Sequence, residues 1–140
     1  MPVRPPMFRP RPRQPRSEQR KQVDERRGSA RARGYTAEWD KAAKRYIDQH
    51  PLCLGCEAVG IVVPSTLVDH VVPQRGDAER MWSVDNWQPS CRWHHDVVKK
   101  RLEASFDKGE LPAHELALDS AAARALTVQL RPDLADTEGG

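Results

Sequence analysis

The sequence is poor in the residues that build large hydrophobic cores and disulfide frameworks. Hydrophobic residues make up 38% of its 140 positions, charged residues make up 31%, and only three cysteines are present. A small core of this kind usually needs a staple such as a disulfide or a structural metal. Three cysteines cannot pair evenly, so a metal explains them better than a disulfide framework does.

Long apolar runs are also missing from the chain. No run approaches the ~20 residues that a membrane-spanning helix needs. The N-terminus lacks the apolar segment of a secretory signal. We therefore expect a cytoplasmic protein whose cysteines stay reduced.

Positive charge is concentrated at one end of the chain. Residues 1–34 contain 11 Arg or Lys and 3 Asp or Glu, whereas the rest of the chain contains 12 basic and 17 acidic residues. The segment is rich in Pro and Arg and has no hydrophobic periodicity, which predicts a disordered basic arm over residues 1–33. Ten of its 11 basic residues are Arg, which suits phosphate. We expect the arm to contact nucleic-acid phosphates without reading sequence; a solubilising tail is the alternative.

The remaining residues predict a small α+β domain over residues 34–105 and a C-terminal extension over residues 106–140. Thr36 is a candidate N-cap for a helix that ends before Pro51. The other expected elements are two strands at residues 61–63 and 67–72, a turn or short strand at 86–89, a helix from 94 or 95 to 103, and a peripheral helix at 115–130.

Two pairs of metal-binding residues share the same spacing. Cys53 and Cys56 are separated by two residues, and so are Cys91 and His94. A single C-x-x-C motif is a moderate signal, but paired with a second motif of this kind it predicts a four-ligand zinc site. The alternative is a redox motif with Cys91 as a free thiol, but a thioredoxin-like motif needs a βαβ setting that is absent here. His95 is adjacent to His94 and could replace it as the fourth ligand.

The same part of the chain resembles the HNH endonucleases, in particular the small phage and prophage type. The resemblance covers about residues 33–102, half the chain, and its landmarks are specific as a set although each is weak alone. They are Arg33-Gly34-Tyr35, Trp39, Cys53-x-x-Cys56, Val68-Asp69-His70-Val71-Val72-Pro73, Asn86-Trp87-Gln88, Cys91-x-x-His94-His95 and Lys99. The implied fold is a ββα-metal core, in which two strands and a helix hold one divalent ion, with a structural zinc knuckle and a preceding helix.

The resemblance also implies a division of roles. Asp69 and His95 would bind the catalytic ion, and His70 would activate water. Asn86 would orient His70 or brace the loop that presents it. A histidine that titrates near neutral pH suits the role of base. Because neighbouring residues on a strand point to opposite faces, Asp69 and His70 need a twist or bulge to reach one site.

The sequence departs from the family pattern at two positions. The fourth zinc ligand is usually Cys, and here it is His94. Lys99 stands where the nuclease-toxin branch of the family has a third metal-binding histidine. Two protein ligands plus water and phosphate suit Mg²⁺ or Mn²⁺, with Ni²⁺ or Zn²⁺ as alternatives. Lys99 and Arg75 are candidate phosphate contacts, although Lys99 could equally be a solvated helix residue.

These features predict a metal-dependent endonuclease that hydrolyses DNA phosphodiesters with low sequence specificity. The resemblance further implies a phage or prophage protein that assists genome packaging beside the terminase. Two alternatives stay open. One is a non-catalytic zinc module that binds nucleic acid or a protein, and the other is a structural zinc protein in a phage assembly. The first alternative leaves Asp69, His70 and His95 without a role. For His70 and His95, the alternative to chemistry is that both are satisfied structural histidines.

Overall fold

The computed structural model describes residue 29 and residues 31–134, so most of the predicted basic arm lies outside the described residues. Seven regular elements occur in this part of the chain. They are α1 (Ala37–Gln49), α2 (Leu54–Ala58), β1 (Leu67–His70), α3 (Ala78–Trp82), β2 (Trp87–Ser90), α4 (Lys100–Asp107) and α5 (Ala121–Leu130). Short 3-10 turns lie at Val84–Asn86 and Ala113–Leu116, and a π-helical segment, His94–Lys99, leads directly into α4.

The first helix begins and ends as the sequence predicts. The Thr36 side chain accepts a hydrogen bond from the Trp39 backbone N–H at 3.3 Å, which satisfies one of the free donors of the first turn. Glu38 and Asp40 add negative charge in that turn, where the helix dipole favours it. The helix ends at Gln49 and buries Trp39 against the sheet.

The two strands pair differently from the prediction. β1 is antiparallel to β2, with a continuous register that runs from Leu67↔Ser90 to His70↔Trp87. Residues 61–63 were predicted to be one of the two strands, and that prediction is wrong, because the strand that pairs with β1 is Trp87–Ser90. The side chains of residues 61–63 instead alternate between packing on the three cysteines and solvent, so local packing overrides β-propensity here. The continuous register also means that β1 contains no bulge.

Three buried clusters hold the domain together. One contains the three cysteines and a second contains Trp39, Met81 and Trp87. The third and largest joins α4 to the chain beyond it through Val98, Leu102, Leu116, Leu118 and Ala123. The predicted peripheral helix is therefore part of the core, because residues after position 105 supply three of these five side chains.

The architecture is a small mixed domain of helices around a two-stranded sheet, which agrees with the predicted α+β class. Within the described residues, no helix is both long and apolar enough to cross a membrane.

Candidate functional site

Four side chains from three parts of the fold converge in one buried cluster. The ligand atoms of Cys53, Cys56, Cys91 and His94 all lie within 4.8 Å of one another. Cys53 precedes α2 and Cys56 lies within it, Cys91 follows β2, and His94 begins the π-helical segment. All four residues are buried, and this group is the fourfold set that the spacing predicts.

The distances within this cluster fit a tetrahedral zinc ion. Zn–S bonds of about 2.3 Å and Zn–N bonds of about 2.05 Å place S···S pairs about 3.8 Å apart and S···N pairs about 3.6 Å apart. The Cys56 and Cys91 sulfurs are 3.8 Å apart, and His94 Nδ1 lies 3.3 Å and 3.5 Å from them. The cluster could therefore bind a structural metal such as zinc.

The thiols also need a cation in order to ionise together. The hydrogen bond with Cys56 lowers the pKa of Cys53 to about 3. The same hydrogen bond raises the pKa of Cys56, and burial raises that of Cys91. Ionisation of one thiol thus disfavours ionisation of the next. A divalent ion offsets this repulsion because it binds thiolates, and the protons of the thiols are released.

The imidazole of His94, the candidate fourth ligand, is oriented by α5. Thr127 on α5 donates its hydroxyl hydrogen to the Ala123 carbonyl at 2.7 Å, so its oxygen is free to accept from His94 Nε2 at 3.2 Å. This arrangement protonates Nε2 and leaves Nδ1 as the ligand nitrogen. Gly55 makes room for the ring, since a Cβ atom there would lie 2.6 Å from His94 Nε2.

His95 faces the opposite way from its neighbour. Its Nε2 lies 3.7 Å from Asp69 Oδ1, and its Nδ1 lies 2.8 Å from Asp96 Oδ1. The hydrogen bond from His95 lowers the pKa of the exposed Asp96 carboxyl. If Nδ1 donates to Asp96, the Nε2 lone pair points at a carboxylate oxygen, and a cation between the two atoms would bind both. Ligand atoms about 2.1 Å from one ion can lie up to about 4.2 Å apart, so the pair is within reach of one ion.

Asp69 is held through one oxygen only. Its Oδ2 accepts a hydrogen bond from Gln88 Nε2 at 2.7 Å and lies 3.0 Å from Lys99 Nζ. Gln88 is opposite Asp69 in the sheet register and is itself fixed by the Leu118 N–H, which donates to its side-chain oxygen at 2.8 Å. The carboxylate is therefore buried and oriented, with Oδ1 directed towards His95.

Lys99 has neither of the roles considered from the sequence. It is 1% exposed, so it is not a solvated residue. Its ammonium group lies 3.0 Å from Asp69 Oδ2 and donates to the His70 carbonyl at 2.6 Å and to Glu103 Oε1 at 3.0 Å. These three acceptors match its three N–H donors. The expected contact with phosphate is replaced by this internal role.

His70 ends β1, and within the described part of the chain only one of its ring nitrogens has a hydrogen-bond partner. Its ring stacks on Trp39 with centroids 5.0 Å apart, and its Nε2 lies 3.0 Å from the Met81 carbonyl oxygen. Nε2 must donate to this carbonyl, so Nδ1 carries the free lone pair. Burial lowers the pKa of His70, an effect that nearby Lys99 adds to and that Met81 and Asp69 oppose. The ring is thus a neutral base at neutral pH.

Asn86 contacts backbone and not His70. Its side-chain oxygen accepts from the Val72 N–H at 2.9 Å, and its amide donates to the carbonyls of Val72 at 2.9 Å and Arg80 at 3.1 Å. These bonds join the end of β1 to α3. Of the two roles considered from the sequence, bracing the loop is the one that these contacts favour.

The three candidate catalytic residues border one cleft. Asp69, His70 and His95 all lie on its wall, together with Arg33, Tyr35, Val68, Pro73, Gln74, Arg75, Lys100 and Glu103. Arg75 has a positive φ of 41° and pairs with Asp107 at 2.6 Å. Arg75 is exposed at the edge of the cleft, where it could reach a phosphate. No observation tests this contact, so it stays a prediction.

Several residues of the site were missed in the sequence. Gln88 and Thr127 act through buried hydrogen bonds between distant elements, and nothing in their local patterns marks them. Glu103 contacts Lys99 from one helical turn away. Lys99 and Glu103 are spaced i,i+4, which would have suggested an ion pair, but not one shared with Asp69.

Comparison with known proteins gives no assignment. No protein-family model, curated protein or solved structure matches this chain.

Proposed function

We propose that the protein is a metal-dependent endonuclease of the HNH type that hydrolyses DNA phosphodiester bonds. The observation that carries this proposal is the meeting of Asp69 Oδ1 and His95 Nε2, 3.7 Å apart, in a cleft that His70 also lines. Two metal-binding atoms and a neutral base are the minimal set for hydrolysis assisted by one ion.

The order of the elements supports the same proposal. β1 carries Asp69 and His70, β2 pairs with it, and the helix that follows carries His95. We infer that these three elements are a ββα-metal unit, with the cysteine cluster as its zinc staple. The adjacent residues His94 and His95 divide the two metal roles between them.

In this mechanism His70 Nδ1 accepts a proton from the attacking water while Met81 holds the opposite side of the ring. Lys99 and Gln88 keep the Asp69 carboxylate oriented through Oδ2. A divalent ion bound by Asp69 and His95 would offset the charge of the phosphate and of the leaving oxygen. With only two protein ligands, water and phosphate oxygens complete its shell, which favours Mg²⁺ or Mn²⁺.

A plasmid-nicking assay tests the proposal. Zinc-loaded protein should convert supercoiled plasmid only when magnesium or manganese is added, and EDTA should stop the reaction. His70→Ala should remove cleavage without changing the zinc content, because its ring is not a ligand of the cysteine cluster. The lost packing on Trp39 should lower the melting temperature but leave the protein folded.

His114→Ala is the matched control, since His114 is 79% exposed and does not line the cleft. This variant should cleave as the wild type does. If no divalent ion supports cleavage by the wild type under any condition, but the wild type still binds DNA, the protein is the non-catalytic zinc module instead. A role beside a phage terminase rests on the sequence resemblance alone.

A further inference from the structure

One cationic side chain that lines the cleft has a buried N–H group with no hydrogen-bond acceptor among the described residues. Arg33 lines the cleft, and its Nε–H is buried without a hydrogen-bond partner. It is the one buried side-chain nitrogen or oxygen in this state among the residues that the structure describes. Leaving such a donor unsatisfied costs about 1–3 kcal/mol, and more for a charged group. When the guanidinium turns towards the cleft, a ligand oxygen there can accept from this N–H group and remove that cost.

Arg33 is anchored through its backbone, and its guanidinium rests on one aromatic ring. The guanidinium lies over the ring of Tyr35, with its central carbon 6.0 Å from the ring centroid. The Arg33 carbonyl accepts a hydrogen bond from Gln74 Nε2 at 3.0 Å, and the Arg33 N–H donates to the Ser29 carbonyl at 3.1 Å. Gln74 also lines the cleft, so the two segments that border it are tied together at Arg33. A residue whose backbone is already anchored loses less entropy on binding.

The charges around the cleft leave Arg33 available to an anion. Asp69 and Glu103 are both within 3.0 Å of Lys99. Arg75 is paired with Asp107. Within the described part of the chain, no carboxylate forms an ion pair with Arg33. A planar cation with several donors and no acidic partner suits a phosphate oxygen.

We propose that Arg33 binds a backbone phosphate of the nucleic acid through its Nε–H, in the cleft that Asp69, His70 and His95 also line. This proposal rests on the proposed function, because it takes DNA as the occupant of the cleft. It assigns to Arg33 the contact with phosphate that the sequence suggested for Lys99.

Binding measurements without cleavage test this assignment. The probe is a short fluorescein-labelled DNA duplex, titrated by anisotropy with zinc-loaded, full-length protein and no added magnesium or manganese, over a range of KCl concentrations. Arg33→Gln should weaken binding about tenfold, as expected for one charge-assisted hydrogen bond, and lower the salt slope by about one. Arg33→Lys should restore the salt slope but only part of the affinity, because it keeps the charge and loses the Nε–H.

Arg124→Gln is the matched control, because it makes the same charge change at an exposed position on α5 outside the cleft. It should bind as the wild type does, and all variants should keep the wild-type melting temperature and zinc content. If Arg33→Gln alone fails to fold, the Arg33→Lys variant decides. Wild-type affinity in either Arg33 variant would overturn the proposal. A wild type that never cleaves, combined with weaker binding by both variants, would reject the nuclease function and keep the phosphate contact.

Discussion

Replacing Lys99 by methionine should strongly destabilise the fold, because it removes the cation at the centre of three buried contacts. Lys99 is 1% exposed and Asp69 is 4% exposed, and their charged atoms are 3.0 Å apart. Methionine fills a similar volume but leaves the Asp69 carboxylate with Gln88 as its remaining hydrogen-bond donor. The His70 carbonyl loses its bond to the ammonium group as well.

The expected loss of unfolding free energy is about 3–5 kcal/mol, the usual cost of removing one partner of a buried ion pair. Urea denaturation of the zinc-loaded protein measures it directly. Lys100→Met is the matched control, since the neighbouring lysine is exposed and forms no ion pair within the described residues. This control should change stability by less than about 0.5 kcal/mol.

A double-mutant cycle makes the test sharper. In the Asp69→Asn/Lys99→Met variant the uncompensated carboxylate is gone, so the double variant should be more stable than the sum of the two single effects predicts. Strict additivity, or a cost for Lys99→Met below about 1 kcal/mol, would refute the interpretation that Lys99 is the buried counter-ion of Asp69.

Three further predictions concern the zinc site and the arm. Cys53→Ser should lower the amount of bound zinc, and it should lower the unfolding free energy by about 3 kcal/mol or more, since zinc binding is coupled to folding. Zinc analysis and urea denaturation measure the two effects, and unchanged stability would count against a structural role of the metal. Thr127→Val removes the acceptor of His94 Nε2 and should weaken zinc binding about tenfold, measured by competition with a colorimetric chelator, whereas equal affinity would show that Thr127 does not orient the ligand. Deleting residues 1–28 should weaken DNA binding and flatten its salt slope while plasmid nicking is retained; an inactive truncation would show that the arm takes part in the chemistry.

Local patterns in the sequence were sufficient for α1 and for the cysteine cluster. The helix depends on a cap at Thr36 and a stop before Pro51, and both are encoded within a few residues. The spacing of Cys53, Cys56, Cys91 and His94 is equally local, because a two-residue gap lets one turn present two ligands. These predictions are confirmed by the helix bounds and by the convergence of the four ligand atoms.

The partner of β1 could not be predicted in the same way. Residues 61–63 are β-branched and have strand propensity, but Ile61 and Val63 pack on the cysteine cluster instead. The actual partner contains Pro89, which propensity disfavours. In a two-stranded sheet both strands are edges, so a proline can be accommodated there.

The burial of Lys99 was equally hidden from the sequence. Its position one turn after His95 predicts proximity to the cleft but gives no sign that Asp69, Glu103 and the His70 carbonyl would surround it. This environment depends on the packing of α4 against the sheet. It is a property of tertiary structure, which single-sequence patterns do not encode.

The contacts made by Gln88 set the order in which the protein can mature during synthesis. Gln88 orients Asp69, and Gln88 is fixed in turn by Leu116 and Leu118. A ribosome must therefore translate about thirty residues beyond Gln88 before that carboxylate is fully oriented. Thr127, which orients His94, is translated later still. A nascent chain can gather its three cysteines early, but its cleft remains unfinished until these later residues emerge, so any activity of the cleft is delayed until Thr127 has been translated.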